Sequence, residues 1–178
     1  EKAFYNGNKI LNKGEVSDTG VISGKKLVPP FNGVVGHSIS LKGDIGMNYY
    51  LVALEDTELH FDWYNKTFDH TVTAEDFDAA SGCYKVQLNV AAAEMTCPIT
   101  ATCSYNGSVF AADTYSVRDY ADVILDSESD FSKDYVASDG AEKYGVLVDL
   151  IKKTLDYGAK AQTRFGVTGF VLANNGID

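Results

Sequence analysis

Between Ser38 and Tyr115 the apolar residues recur at every second position, and from Ser116 onward they recur at every third or fourth. This change of period restricts the fold more than any other feature. Strands turn alternate side chains to opposite faces, whereas a helix repeats every 3.6 residues. Ile39 and Leu41, then Met47, Tyr49 and Leu51, alternate with polar or small neighbours across a turn at Lys42-Gly43-Asp44. Leu59, Phe61 and Trp63 alternate with His60, Asp62 and Tyr64, which sends Trp63 toward the core. Asn65-Lys66 reads as a two-residue hairpin turn, because Asn tolerates positive φ. The return strand is then Thr67 to Thr73, with a short helical turn at Thr73-Ala-Glu-Asp76. Tyr84, Val86, Leu88 and Val90 form a further strand, as do Ile99, Ala101, Cys103 and Tyr105. Asn106-Gly107 is the strongest hairpin signal in the chain, and Val109 to Tyr115 returns from it. Short strands joined by tight turns, with no helices between them, predict an antiparallel, immunoglobulin-like β-sandwich.

Ser116-Val-Arg-Asp119 has the pattern of a capping box and opens a helix whose stripe is Val117, Tyr120, Ala121, Ile124 and Leu125. The acidic, Ser-rich segment 126–140 reads as a loop. A second amphipathic helix is expected from Ala141 to Phe165, with Tyr144, Leu147, Val148, Ile151, Leu155, Gly158 and Gln162 inward and Gly166 as its stop. At 1.5 Å per residue it is roughly 36 Å long, enough to cover one side of a sandwich. The expected organisation is α+β: residues 1–36 as polar, Gly-rich loops and edge strands, 37–115 as the sandwich, and 116–178 as a helical hairpin packed on it.

The chain of 178 residues carries 25 acidic against 15 basic side chains, a formal charge of -10. Such a balance argues against nucleic acid and anionic membrane, since both polyanions are bound through clustered Lys and Arg. No apolar run approaches the roughly 20 residues that a membrane-spanning helix needs. The opening Glu1-Lys2-Ala3-Phe4 reads as a domain boundary within a larger exported protein. The spacing of Cys83, Cys97 and Cys103 matches no zinc or redox motif. Either the three are thiols acting as small hydrophobes, or Cys83 bridges Cys97.

Catalytic chemistry finds no residues. His60 and His70 fall on facing strands of the Asn65-Lys66 hairpin, within one residue of direct opposition, but a two-histidine metal site would lack a third ligand. His37 has no identifiable partner. The acidic runs 75–78 and 126–130 lack the Gly and the bidentate Glu of a calcium loop and read as solvated loops. No nucleophile elbow, His-Glu-x-x-His or phosphate-binding glycine loop occurs. No enzyme, metal or cofactor is therefore expected. The candidate binding residues are His60, Asp62 and Tyr64 on one hairpin strand and Phe68 and His70 on the other, all with outward parity. They form an aromatic and acidic patch of the kind found in carbohydrate platforms and protein-binding hot spots.

Three stretches carry a resemblance: 40–50 (Ser-Leu-Lys-Gly-Asp-Ile-Gly-Met-Asn-Tyr-Tyr), 115–125 (Tyr-Ser-Val-Arg-Asp-Tyr-Ala-Asp-Val-Ile-Leu) and 155–162 (Leu-Asp-Tyr-Gly-Ala-Lys-Ala-Gln). Together they resemble a module of large secreted or wall-attached proteins of Gram-positive gut anaerobes, over about residues 36 to 175. Within it the chain is similar to a domain of the superantigen-like immunoglobulin-binding proteins of gut commensals. The resemblance implies a non-enzymatic, extracellular domain, secreted or cell-wall-attached, that binds the framework of host antibody heavy-chain variable domains. Its motifs are read as core and capping positions, so they imply the fold and leave the ligand surface unassigned. Cys97 and Cys103 depart from the module's pattern. A carbohydrate-binding module of a glycan-utilisation system and a passive spacer or adhesin domain are the alternatives.

Overall fold

Alternating strands with tight turns pair with their sequence neighbours, and here they do so in two separate sheets. The computed structural model describes residues 2–5, 9–12, 32–42 and 44–177. The expected loops over 13–31, and Gly43 of the expected turn, lie outside the described residues. Strands β1 (Lys2–Tyr5) and β2 (Lys9–Asn12) pair antiparallel as a sheet of their own. The sandwich is built from β3 (Gly33–Ser40), β4 (Ile45–Val52), β5 (Glu58–Trp63), β6 (Lys66–Thr71), β7 (Phe77–Asp78), β8 (Cys83–Val90), β9 (Ile99–Tyr105) and β10 (Ser108–Tyr115).

One sheet has the order β10-β9-β5-β6 and the other β3-β4-β8-β7, all antiparallel. Successive hairpins therefore alternate between the sheets. This order is compatible with the A-B-E-D and C-F-G layers of immunoglobulin-type sandwiches, a likeness in strand order alone. Met47, Tyr49 and Leu51 of β4 and Val86, Leu88 and Val90 of β8 face Leu59, Phe61, Trp63, Ile99, Ala101 and Cys103 in one buried cluster. The Tyr49 and Phe61 rings meet across it with centroids 4.9 Å apart. Asn106-Gly107 turns as its sequence requires, with φ of 51° and 73°.

The two long flanks of the sandwich differ. On one, the edges β3 and β10 close together: His37 bonds Asp113 at 2.9 Å and stacks on Tyr115 at 4.0 Å. Both edge strands carry a register shift there, β3 between Val34 and Gly36 and β10 between Val109 and Ala111. Such bulges twist an edge away from further pairing. Burial holds His37 below its ordinary value of 6.5, against the pull of Asp113 and Asp119. The unfolded chain then binds more protons near pH 6 than the folded one, so this site's stability is present above 6.5 and lost as pH falls. Denaturation midpoints are expected to drop between pH 7.5 and 5.5, and His37→Gln is expected to flatten that drop.

Ser116 caps α1 (Val117–Leu125), accepting from the Asp119 N–H while Asp119 bonds back to it, as the sequence predicts. The segment 126–140 is not a plain loop. It contains α2 (Asp130–Asp139), started by the Ser129 hydroxyl accepting from the Ser132 N–H. Ser132 is buried, donates to the Ile124 carbonyl and receives the Tyr144 hydroxyl, so polar contacts rather than an apolar stripe hold this helix. The helical hairpin is thus a set of three helices. The last, α3 (Ala141–Phe165), ends at Gly166 with φ 67°.

Helix α3 does not lie across a sheet. It packs on α1, on α2 and on the single helical turn Ala92–Glu94 that links β8 to β9, at the end of the sandwich. Gly158 permits this approach. A Cβ there would stand 2.5 Å from Met95 Sδ and 3.1 Å from the Ala92 carbonyl. The tail after α3 is held by Gln162, by Arg118 donating to the Ala173 and Asn175 carbonyls, and by Asn174 donating to Asp156. The stretches 115–125 and 155–162 therefore supply a helix cap, close packing and tail contacts.

Candidate functional site

The hairpin β5–β6 places all five candidate residues, and its register decides which of them act together. Trp63 pairs with Lys66, so the two turn residues are Tyr64 and Asn65, one position earlier than the sequence suggested. Tyr64 takes φ 55°, a left-handed conformation that aromatic residues seldom adopt. The sequence signal therefore falls one position late, because the asparagine beside Tyr64 is the residue that usually marks such a position.

A slip of one residue moves every side chain to the other face. His60 lies opposite Asp69, and its Nδ1 is 2.6 Å from the carboxylate on the exposed face. Phe68 lies opposite Phe61 and His70 opposite Leu59, so both share the parity of the core residues. The expectation that Phe68 and His70 face outward with His60 and Asp62 is thereby corrected. His60 and His70 stand on opposite faces and cannot share an ion, and no group of three potential metal ligands occurs among the described residues.

The outer face of this sheet is a polar ladder instead. Asp69, His60, Thr102 and Ala112 lie across it in one row, and Thr67, Asp62, Thr100 and Thr114 in the next. The threonines were legible only once β9 was paired with β5. The aromatic pair also separates. The Tyr64 ring meets Phe170 at 6.2 Å, while Phe68 lies against Phe61 at 6.0 Å and His70 at 6.3 Å. His70 Nε2 is 3.0 Å from Asp76, whose carboxyl is opposed by burial but held below its ordinary value by the Thr73 N–H and His70.

Phe68 instead borders a groove on the flank opposite His37. Strand β7 pairs with β8 only at Tyr84 and Cys83, so residues 85–90 have no strand partner on that side among the described residues. Across from them runs β6, the edge of the other sheet, paired with β5 in one unbroken register and carrying no bulge. Between the two edges is a groove of about 530 Å³ lined by Trp63, Lys66, Thr67, Phe68, Gln87, Leu88 and Asn89. In a two-residue hairpin the closing pair is the hydrogen-bonded kind, so alternation turns the N–H groups of Thr67 and Asp69 away from β5, to the side where β6 has no strand partner among the described residues. At one end of the groove Glu94 is buried, accepting from Trp63 Nε1 at 3.1 Å and pairing with Lys66 Nζ at 2.6 Å. The hairpin tip is thereby fixed to the connection that carries α3.

All three cysteines are free thiols, Cys97 and Cys103 buried and Cys83 partly so. Burial raises the Cys97 and Cys103 thiols to about 11, which keeps them protonated and inert as nucleophiles. No helix among the described residues is long and apolar enough to cross a membrane. No family model, no curated protein and no solved structure matches the chain.

Proposed function

We propose that this is a non-catalytic protein-binding domain that takes up a strand of its partner along the β6 edge. The observation that carries this is the groove where two sheet edges unpaired among the described residues, β6 and residues 85–90 of β8, face each other. An added strand would gain main-chain hydrogen bonds from Thr67 and Asp69, while its alternate side chains enter the groove toward Trp63, Phe68 and Leu88. Main-chain pairing reads backbone geometry rather than side chains. It suits the class of partner that the family resemblance implies, the framework of antibody heavy-chain variable domains, which are themselves sandwiches with edge strands. An extracellular setting, secreted or wall-attached, accords with that partner. The glycan alternative relied on Tyr64 and Phe68 as one platform, and with those rings on separate neighbours no observation favours it.

A panel of Fabs from different heavy-chain families tests the proposal. Binding is expected to follow the heavy-chain family and to be indifferent to the antigen site. Thr67→Pro removes an outward N–H without touching the β5–β6 ladder and is expected to weaken binding about tenfold or more with little change in stability. Equal absence of binding across the panel would defeat the antibody reading. Full binding by Thr67→Pro would defeat the strand-addition reading.

A further inference from the structure

We infer that the outward face of α3 is a second docking surface, one that takes an acidic amphipathic helix of a partner protein. The inward face of α3 is fully used: Ile151, Leu155, Gly158 and Gln162 are buried. The opposite side carries Val146, Leu150, Lys153, Tyr157, Lys160 and Arg164. Their spacings of four, three, four, three and four residues are those of a heptad seam, the pattern by which one helix meets another. The seam runs about 27 Å, five turns of helix. Val146 is 68% exposed, Leu150 48% and Tyr157 63%, so three large apolar groups on one line stand about half or more open to solvent.

The charges say what would cover them. Lys66, Arg118, Lys133 and Lys143 each pair with an acid, and Lys85 lies over the Tyr50 ring. Among the described residues Lys153, Lys160 and Arg164 have no such partner, in a chain with 25 acidic side chains. Beside the last two, a groove of about 430 Å³ is bounded by Ala159, Thr163, Leu172 and Asn174. The fitting occupant has aliphatic residues against Val146, Leu150 and Tyr157, and carboxylates against Lys153, Lys160 and Arg164.

A second copy of the chain does not fit. Paired in parallel through this seam, two copies would set Lys153, Lys160 and Arg164 against themselves. Paired antiparallel, they would bury Arg164 over Val146 and Lys160 over Leu150, an unmatched charge on an apolar group in each case.

The test uses the whole chain and two synthetic helical peptides of about 20 residues. One has Leu and Glu along its seam, and the other has Lys in place of each Glu. By titration calorimetry the Glu peptide is expected to bind and the Lys peptide not, with affinity falling between about 50 and 300 mM salt. The triple variant Lys153→Glu, Lys160→Glu, Arg164→Glu touches only exposed positions, and circular dichroism checks that it folds. It is expected to lose about tenfold or more in affinity for the Glu peptide and to gain the Lys peptide. Leu150→Ala is expected to weaken the wild-type complex. Failure of the Glu peptide to bind, equal binding of both peptides, or unchanged binding by the triple variant would overturn the inference.

Discussion

Gln162→Ala is expected to destabilise the protein by about 3 kcal/mol, read from the shift in its chemical denaturation midpoint. Gln162 is 1% exposed and uses both ends of its amide. Its Oε1 accepts from the Ala173 N–H at 2.7 Å, and its Nε2 donates to Thr96 Oγ1 at 2.8 Å and the Val171 carbonyl at 3.0 Å. Truncation leaves a buried backbone donor without its partner and opens a space between α3 and the tail. Gln162→Met keeps most of the volume and deletes the hydrogen bonds alone, so it is expected to cost about 2 kcal/mol. The difference between the two measures the cavity. Because the tail past Gly166 is held largely by this side chain and Arg118, limited proteolysis should cut the alanine variant there first.

The second large effect is at Glu94, where Glu94→Ala is expected to cost about 3 kcal/mol. The ion pair with Lys66 is not the main part. The Lys66 side chain is 45% exposed, so solvent screens it, whereas the Glu94 side chain is only 7% exposed. The cost lies in the Trp63 indole N–H, which loses its acceptor in a buried setting. Glu94→Gln restores an acceptor and is expected to cost about 1 kcal/mol. Trp63 is the single tryptophan of the chain, so its fluorescence reports this site directly. A red shift in the alanine variant and none in the glutamine variant is the expected pair of results.

Where local chemistry has one solution, the residues showed the structure. Asn106-Gly107 admits little besides a tight hairpin turn, and Ser116 with Asp119 admits little besides a helix start. The α3 stripe, bounded by Gly166, fixed that helix over 141–165. The hairpin at residue 64 misled because its left-handed residue is a tyrosine, the kind of choice that local preference argues against. Helix α2 misled for another reason: Ser132 and Tyr144 hold it by contacts that reach outside its own segment.

The groove could not be read from sequence at all. It requires β6 and β8 to face each other from different sheets, and it requires β7 to be too short to cover its neighbour. The candidate residues were found, but their grouping depended on a register one residue away from the apparent one. His60 and Asp62 then fall on a polar face, Tyr64 on the turn, and Phe68 beside the open edge.

The central claim is that β6 is the edge a partner pairs with, and amide hydrogen exchange on the complex with a binding Fab tests it most directly. The account predicts that the amides of Thr67 and Asp69 exchange freely in the unbound chain and become protected in the complex. The amides of Lys66, Phe68 and His70, already bonded to β5, should change little. Protection confined to another surface, with Thr67 and Asp69 exchanging as before, would contradict it.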